Sequence, residues 1–259
     1  MSNLKDKIVI ITGASSGLGQ GAALEFARLG AKLSISGRNV ENLQATVSQC
    51  EKAGLPAENI LSLQADLTKD DDVKKVVDET IKKFGQLDVL VNNAGIVKPG
   101  GIETQSMEDY DYTMNINVRC HFYMTKLAVP HLIKTKGSIV NLSSVTGLRA
   151  FPGVISYCMS KAAIDQFTRC CALELAQKGV RVNSVNPGVI VTDLHKRGGM
   201  DGEAYSKFLE HCKTTHAMGR VGQPEEVAKA IVFLASSDSS FITGASIPID
   251  GGRHAMCPR

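Results

Sequence analysis

The sequence predicts an α/β domain in which helices cover both faces of a parallel sheet. Short apolar runs rich in β-branched residues alternate with helical patterns along the chain. The first run, residues 8–11, is apolar at every position, as is typical of a strand buried on both faces. A glycine-rich turn follows that strand directly. Because strands joined through helices form right-handed crossovers, this pattern predicts one doubly wound sheet.

The predicted elements follow one another in a regular order. Strands are predicted at residues 8–11, 32–36, 60–64, 89–91, 138–142, 180–185 and 246–249. Helices are predicted at residues 22–29, 40–53, 70–84, 107–133, 155–177 and 224–234, with a break in the fourth near Asn115. The least regular stretch, residues 189–218, is expected to form a mobile lid.

The composition is that of an ordinary globular protein. Hydrophobic residues make up 43% and charged residues 21% of the 259 positions, and no repeat or linker interrupts them, so residues 1–259 are expected to form a single domain. A net charge of +3 with scattered lysines and arginines does not indicate nucleic-acid binding. The apolar runs are too short to span a membrane, and the first residues lack the apolar core of a signal peptide. Seven cysteines without a CxxC pair indicate reduced thiols and a cytoplasmic protein.

The turn after the first strand, TGASSGLG at residues 12–19, predicts a dinucleotide site. Glycines permit a sharp turn, a close approach of the backbone to a pyrophosphate, and close packing of the next helix on the sheet. That helix would present free N–H groups and its positive end to the phosphates. The cofactor-binding residues expected in this turn are Gly13, Ser15, Ser16, Gly17, Leu18 and Gly19.

The cofactor preference is predicted from the end of the second strand, where such sites read the adenosine ribose. Arg38 and Asn39 stand there, and no acidic residue does. A carboxylate would accept from the ribose 2′-hydroxyl and repel a 2′-phosphate, whereas a guanidinium pairs with phosphate. We therefore expect NADP(H) rather than NAD(H). An Arg38 that is only solvated or stacked on adenine would leave NAD(H) as the alternative.

Tyr157 and Lys161 are predicted to form an acid–base pair. They are four residues apart in a predicted helix and therefore share one face. A nearby ammonium favours the phenolate and would lower the pKa of the tyrosine, which suits a residue that exchanges a proton near neutral pH. Ligands of parallel sheets bind at the carboxyl ends of the strands. Polar groups follow three other strands at that edge: NNAG at residues 92–95, Ser143-Ser144, and NPG at 186–188.

Together these motifs resemble those of the short-chain dehydrogenase/reductases. The shared motifs are TGASSGLG at residues 12–19, NNAG at 92–95, Ser144 thirteen residues before Tyr157, YCMSK at 157–161 and NPG at 186–188. The resemblance extends to IPIDGG at residues 247–252 and points to the 3-oxoacyl reductase and carbonyl reductase branch. It implies one Rossmann-type domain with a seven-stranded parallel sheet, an NAD(P)-dependent oxidoreductase, and a homotetramer or homodimer.

The resemblance also implies a catalytic set of Asn117, Ser144, Tyr157 and Lys161. By that similarity, Tyr157 is the general acid in reduction and the base in oxidation, and Lys161 lowers its pKa and binds the nicotinamide ribose. Ser144 donates to the substrate oxygen. Asn117 holds a water that links the lysine to solvent, and Asn115 is the alternative residue for that role.

Further cofactor contacts are implied in the same way. The family's adenine-binding pair corresponds to Asp66 and Leu67, and its carboxamide-binding loop to residues 187–192. Besides Tyr157 and Lys161, the implied cofactor-binding residues are Asp66, Leu67, Asn93, Ala94, Gly95, Pro187, Gly188, Ile190 and Thr192.

The substrate is predicted to be a small hydrophobic ketone, aldehyde or alcohol. Its walls are expected at residues 96–100 and 145–151 and in the lid at 189–218, where apolar side chains are frequent. A steroid, an isoprenoid, a 3-oxoacyl chain or a xenobiotic carbonyl compound would all suit such walls. Beside Ser144 and Tyr157, the candidate residues are Val97, Val145, Leu148, Val189, Leu194 and Tyr205.

Two other classes of protein remain open, and a metal site is not expected. The first is a cofactor-binding sensor without catalysis, since fold does not determine function. The second is an epimerase or dehydratase that uses the same tyrosine and lysine, although this chain lacks room for the longer substrate domain of such enzymes. The spacings of His195, His211 and His216 do not place metal ligands on one helical face.

Overall fold

A single parallel sheet organises the computed structural model, which describes residues 4–257. Its seven strands lie in the order β3-β2-β1-β4-β5-β6-β7, which confirms the predicted fold class. The strands are β1 Ile8–Thr12, β2 Lys32–Gly37, β3 Ile60–Gln64, β4 Val89–Asn92, β5 Ser138–Leu142, β6 Arg181–Pro187 and β7 Ser246–Ile249. The predicted domain of residues 1–259 also includes residues 1–3 and 258–259, which lie outside the described part of the chain.

Ten α-helices are present within residues 4–257. They are α1 Gly17–Arg28, α2 Val40–Lys52, α3 Asp70–Phe84, α4 Met107–Met114, α5 Cys120–Thr135, α6 Val145–Leu148, α7 Ile155–Leu175, α8 Leu194–Arg197, α9 Gly202–Thr215 and α10 Pro224–Ala235. None of the helices in this described range is long and apolar enough to cross a membrane.

The strands bury side chains on both faces because consecutive residues point in opposite directions. On one face, Val9 and Ile11 pack in a core that includes Phe26 of α1 and Ile231 of α10. On the other face, neighbouring strand residues pack against α3, α5 and α7 in a second core. This two-sided burial explains why the strands are apolar at nearly every position.

The order of the strands reverses between β1 and β4. From β1 the chain winds outward through β2 to β3, and β4 then returns to the other side of β1. All neighbouring strands are parallel, so their carboxyl ends meet at one edge. A crevice opens at that edge where the winding reverses, which is where ligands bind in folds of this kind.

The long predicted helix at residues 107–133 is interrupted, as expected near Asn115. A π-helical turn, Asn115–Arg119, separates α4 from α5. Such turns insert an extra residue and re-aim the side chains of one helical turn. Asn117 lies in this turn and is fully buried.

The segment at residues 189–218 is more regular than the sequence indicates. It contains α8 and α9, and the Asp201 side chain caps α9 by accepting a hydrogen bond from the N–H of Ala204. Tyr205 and Cys212 are the buried residues of α9. The glycines and charged residues that obscured the pattern lie at the ends and outer faces of these helices. The predicted mobility of this segment stays a prediction.

A ladder of buried amides and hydroxyls crosses the middle of the sheet. The Nδ2 atom of Asn92 donates to Thr125 and to Oδ1 of Asn141, each at 2.9 Å. Asn141 in turn donates from Nδ2 to the Thr168 hydroxyl at 2.9 Å. These hydrogen bonds join β4 and β5 to α5 and α7 and so fix the strands that end at the crevice.

Replacing Asn141 with leucine would remove the central amide of this ladder while keeping a side chain of similar size. Asn92 would lose an acceptor and Thr168 a donor, and each such unsatisfied buried group costs about 1–3 kcal/mol. We expect the free energy of unfolding in urea, at fixed protein concentration, to fall by about 2–4 kcal/mol. The control Asn42→Leu, exposed on α2, should change it by less than about 0.5 kcal/mol. Equal stability of the two variants would contradict the role of the ladder.

Candidate active site

The main cleft lies over the carboxyl ends of β1 and β4, at the reversal of the sheet. It brings together most of the residues that the sequence assigns to the cofactor and the reaction. The predicted residues that line it are Gly13, Ser15, Ser16, Gly17, Leu18, Arg38, Asp66, Leu67, Asn93, Ala94, Gly95, Val97, Tyr157, Lys161, Thr192 and Leu194.

The glycine turn is joined to the segment after β4. Gly13 has a φ of +67°, and a Cβ atom there would lie 2.9 Å from the Cα atom of Ala94, so no other residue fits without strain. The Thr12 hydroxyl accepts from the backbone N–H groups of Asn93 and Ala94, both at 3.0 Å. Gly19 is buried against the Asn93 side chain, which gives it a packing role rather than a place in the cleft lining.

The N-terminus of α1 fits the pyrophosphate of a dinucleotide. Ser16 precedes the helix, makes no side-chain cap to it, and is followed by no acidic residue in the first turn. The first N–H groups therefore keep their capacity to bind an anion, and the helix dipole favours one there. Arg197 of α8 adds a positive charge, since its Nη1 atom donates to the Ser16 hydroxyl at 2.7 Å. These groups can hold the two phosphates.

Arg38 lies at the rim of the cleft just after β2. Its Nη1 atom donates to the Tyr112 hydroxyl at 3.0 Å. Ser15 lies close by, because a Cβ atom on Gly37 would be 3.1 Å from the Ser15 hydroxyl. The guanidinium and this hydroxyl are therefore both available to a group on the adenosine ribose.

Asp66 lies on the same side of the cleft and is ionised. Partial burial acts to raise the pKa of its carboxyl, but hydrogen bonds from the N–H and hydroxyl of Thr68 and the charge of Arg38 hold that pKa below its usual value. Both bonds go to Oδ1, at 3.1 and 2.9 Å. Asp66 is thus fixed in position and can accept from a ligand.

Asn39 does not reach the cleft, contrary to its predicted place among the cofactor-binding residues. Its side chain accepts from the N–H of Asn42 at 2.7 Å and caps the start of α2. Asparagine is a preferred capping residue because its oxygen satisfies an N–H that the helix leaves free. The structure therefore assigns the Asn39 side chain to a helix cap, and its predicted contact with the cofactor stays a prediction.

Lys161 and Tyr157 lie together at the centre of the cleft. The Nζ atom of Lys161 is 5.6 Å from the centre of the Tyr157 ring and donates to the carbonyl of Leu142 at 2.7 Å. Lys161 is only 3% exposed. The Ser143 hydroxyl donates to the backbone carbonyl of Lys161, so β5 and α7 are held together at this point.

Burial controls the ionisation of this pair. It raises the pKa of Tyr157 to about 12, and a hydrogen bond with the Ser144 hydroxyl opposes that shift. Burial lowers the pKa of Lys161 to about 8, against the raising influence of Asp165. Lys161 is not among the groups that shift the pKa of Tyr157 here, so the lowering of that pKa by Lys161 stays a prediction. The ammonium is bound by the Leu142 carbonyl, and desolvation of the phenol is the larger effect.

Ser144 lies beside Tyr157 but is itself nearly buried, at 7% exposed. Its hydroxyl accepts from the N–H of Thr146 at 3.1 Å and begins the short helix α6. Ser143, rather than Ser144, belongs to the cleft lining. Ser144 thus reaches the reacting region through its hydrogen bond with the Tyr157 hydroxyl.

Asn117 is held next to the lysine by the π-helical turn. Its side chain accepts from the N–H of Ile96 and donates to the carbonyl of the same residue, both at 2.9 Å. A Cβ atom on Gly95 would lie 3.4 Å from Oδ1 of Asn117 and 3.5 Å from Nζ of Lys161. Asn115 instead lines a separate surface groove. Of the two asparagines, Asn117 has the position that the predicted role requires.

Several predicted contacts do not line the cleft. Gly188 packs against His216 and Asp250, and Val189 and Ile190 face a second cavity beyond the loop. Val145, the first residue of α6, is buried. Tyr205 is also buried, and its hydroxyl donates to the carbonyl of Thr192 at 2.8 Å. The predicted cofactor and substrate residues outside the cleft lining are therefore Gly19, Asn39, Pro187, Gly188, Ile190, Ser144, Val145, Leu148, Val189 and Tyr205.

Some lining residues were predicted only as part of a segment. Ile96 and Lys98 lie in the predicted wall at residues 96–100, and Arg197 and Gly198 in the lid; Ser143 is one of the polar groups predicted after β5. Lys98 and Arg197 add positive charge, and Lys98 also pairs with Asp109 at 3.0 Å. The lining residues that the sequence analysis missed are Gly37, Ala65, Thr68, Ile116 and Leu142.

The histidines of the lid have structural partners. His216 accepts at Nε2 from the N–H of Val189 and donates from Nδ1 to the carbonyl of Cys212. The His195 ring packs on Phe208, with ring centres 4.6 Å apart. Within residues 4–257, no group of three or more His, Cys, Asp or Glu side chains is placed to hold a metal ion.

Comparison with known proteins agrees with this geometry. Residues 13–254 match the model of a family described as enoyl-(acyl carrier protein) reductase. The 3-oxoacyl-[acyl-carrier-protein] reductase FabG of Thermotoga maritima is 40% identical over 250 residues, covering 96% of this chain and 98% of that protein. The meso-2,3-butanediol dehydrogenase of Serratia marcescens is 38% identical, covering 96% and 95%.

A solved structure is similar over nearly the whole chain. It is a short-chain dehydrogenase/reductase of unknown function from Caenorhabditis elegans, crystallised with cofactor. The TM-score is 0.95 at 40% identity, and the match covers 98% of this chain and 97% of that one. The motifs, the sheet order and these similarities agree: the chain belongs to the short-chain dehydrogenase/reductase family and is an NAD(P)-dependent oxidoreductase.

Proposed function

We propose that the protein uses NADP(H) to interconvert a ketone or aldehyde with the corresponding alcohol on a small, hydrophobic molecule. The observation that carries the proposal is the meeting of Tyr157 and Lys161 in the same cleft as the glycine turn and Arg38, with Ser144 beside Tyr157. When bound, the dinucleotide donates or accepts the hydride at the substrate carbon. The side chains of the cleft handle the proton and the charge on the oxygen.

Tyr157 is the general acid in reduction and the base in oxidation. Its raised pKa keeps the hydroxyl protonated at neutral pH, so it can donate to the substrate oxygen as negative charge develops there. The Ser144 hydroxyl, already bonded to that of Tyr157, is placed to share the same oxygen. Lys161, 5.6 Å from the ring, stabilises the phenolate that remains after the proton has left.

Asn117 is a positioning residue in this scheme. Its amide fixes both backbone polar groups of Ile96, at the edge of the cleft that carries Gly95 and Val97. It also lies beside the Lys161 ammonium. A buried amide with this neighbour supports the role of holding a water that connects the lysine to solvent.

The preference for NADP(H) rests on Arg38. A guanidinium bonded only to a neutral tyrosine hydroxyl, with Ser15 nearby, favours a 2′-phosphate over a 2′-hydroxyl. The pyrophosphate is assigned to the N-terminus of α1 and to Arg197.

A hydrophobic substrate is supported by apolar residues that line the same cleft as Tyr157. Ile96, Val97 and Leu194 line the cleft on the side of the lid. Such a wall excludes water and strengthens the hydrogen bonds to the substrate oxygen.

The quaternary structure and location are proposed from surface features. Exposed apolar side chains on α5 and α7, including Phe122, Met159 and Leu173, support a homotetramer or homodimer that buries these helices. All seven cysteines are free thiols, which supports a reducing, cytoplasmic location.

Tyr157→Phe removes the proposed proton donor and keeps the ring. General acid–base catalysis contributes about 10²–10⁴-fold, so we expect kcat for NADPH-dependent carbonyl reduction to fall at least about a hundredfold. NADPH binding should change little. The control Tyr110→Phe on α4 should retain wild-type kcat. Near-normal turnover by the Tyr157 variant would remove this residue from the mechanism.

Arg38→Gln tests the cofactor preference. The loss of a charge-assisted contact to the 2′-phosphate should lower kcat/KM for NADPH about ten- to hundredfold, while kcat/KM for NADH changes less than about twofold. Arg28→Gln, which removes an exposed arginine of α1 paired with Glu25, is the control. A higher kcat/KM with NADH than with NADPH in the wild-type enzyme would contradict the preference itself.

The pH dependence of reduction should follow Lys161. Its pKa of about 8 means that the ammonium is present below that pH and is lost above it. Because the charge stabilises the phenolate left by Tyr157, kcat/KM for reduction should be level up to about pH 7 and decline above about pH 8. Lys161→Arg, with a charge that persists, should be slower but should move the decline to higher pH. A wild-type profile that is level to about pH 10 would refute the role of Lys161.

A further inference from the structure

Arg253 differs from the other arginines of the described chain. It lies in a short helical turn after β7, Arg253–Ala255, and is partly buried. Within residues 4–257 it is the one arginine whose guanidinium forms no hydrogen bond, and it has no carboxylate within ion-pair distance. Its five N–H donors bond to no group in the described part of the chain and are open to solvent, so they remain available to a ligand.

The surroundings of Arg253 place it at the predicted substrate walls. Its guanidinium carbon lies 4.7 Å from the centre of the Phe151 ring, in the segment that leads into α7 and Tyr157. The positive charge of Arg253 also acts to lower the pKa values of His195 in α8 and Cys212 in α9, so both residues lie near it. Arg253 therefore stands between the wall at residues 145–151 and the lid. His195 follows Leu194, which lines the cleft.

No carboxylate forms a direct ion pair with Arg253 within residues 4–257. Asp250 is the carboxylate that interacts with it at longer range, but the oxygens of Asp250 are already bonded to the N–H of Gly252 and to the N–H and ring of His254. Burial lowers the pKa of the Arg253 guanidinium, and arginine nevertheless stays charged in proteins. Burial also lowers the pKa of His195 and of His216, so these rings are neutral at pH 7 and add no second cation.

We propose that Arg253 binds a carboxylate at the far end of the substrate, which is therefore an oxo acid or hydroxy acid with an apolar chain between its two polar ends. The inference rests on the proposed function, since it names the class of compound that Tyr157 and Ser144 act on. A single guanidinium matches a monoanion and the planar geometry of a carboxylate. Val97 and Leu194 line the cleft, and Phe151 lies beyond its lining against Arg253; these side chains would provide apolar surface for the chain between the two ends.

The first experiment compares acids with their esters. The probes are straight-chain methyl ketones of increasing length that carry a terminal carboxylate, each paired with its methyl ester and assayed with NADPH. At the best length, kcat/KM for the acid should exceed that for the ester about ten- to hundredfold, as expected for a charge-assisted hydrogen bond. High salt should lower kcat/KM for the acid and leave that for the ester unchanged.

Variants assign the preference to one residue. Arg253→Gln should abolish the advantage of the acid without lowering kcat/KM for the ester, and Arg253→Lys should keep part of it. Arg169→Gln, which removes an exposed arginine of α7 that bonds only to Gln166, is the matched control and should behave as wild type. Equal rates for acid and ester, or a preference that survives Arg253→Gln, would overturn the assignment.

A binding measurement separates this inference from the proposed function. Calorimetry with NADP⁺ present should show octanoate binding at least about tenfold more tightly than octanamide, with the difference lost in Arg253→Gln. If no carbonyl compound is reduced with either cofactor but octanoate keeps this advantage, the proposed function fails and the anion site stands. If esters and acids are both reduced and octanoate has no advantage, the anion site fails and the proposed function stands.

Discussion

The cleft depends on hydrogen bonds that join the end of β1 to the segment after β4. One hydroxyl, that of Thr12, receives the N–H groups of Asn93 and Ala94, and the Asn93 side chain donates back to the carbonyls of Thr12 and Gly13. These two strands are the ones between which the sheet reverses its winding. The crevice therefore has a fixed width at the point where a dinucleotide must cross it. His121 adds a further hydrogen bond to the segment after β4. Burial lowers the pKa of His121 to about 3, and the neutral ring donates from Nε2 to the Ala94 carbonyl at 2.7 Å.

Burial also controls the ionisation of Tyr157 and Lys161. Tyr157 and Lys161 are shifted in opposite directions on the pH scale, yet both shifts favour the uncharged form of the side chain. Desolvation thus disfavours the phenolate and the ammonium alike, while the Ser144 hydroxyl and the Leu142 carbonyl partly compensate. Under the proposed mechanism, a charged lysine stabilises the phenolate, so the tyrosine loses its proton more readily while Lys161 is protonated. The proposed reaction would then depend on one titration, that of Lys161.

The parts of the site that depend on local spacing could be predicted from the sequence. Residues four apart on α7 must share a face, and a glycine turn between a strand and a helix must open at the edge of the sheet. The contacts that a side chain makes with residues distant in the sequence could not be predicted in this way. Asn39 satisfies a local helix N–H instead of facing the cleft, and Val189 belongs to a cavity behind its loop. Arg197 reaches the cleft from a segment whose path depends on tertiary packing.

The distribution of arginine partners connects these observations. Arg28, Arg119 and Arg220 lie away from the cleft, and each forms an ion pair with a carboxylate. Arg149, Arg169 and Arg181 bond instead to neutral carbonyl, amide or hydroxyl oxygens. Around the cleft and its lid, Arg38 and Arg197 bond only to neutral hydroxyls, and Arg253 stacks on a phenyl ring. A guanidinium that is held in place without a counter-ion raises the affinity for an anion, because binding then replaces water and requires no internal ion pair to break. Under the proposed function, Arg38 at the ribose end and Arg197 at the pyrophosphate would favour an anionic dinucleotide, and Arg253 would favour a substrate with an anionic tail.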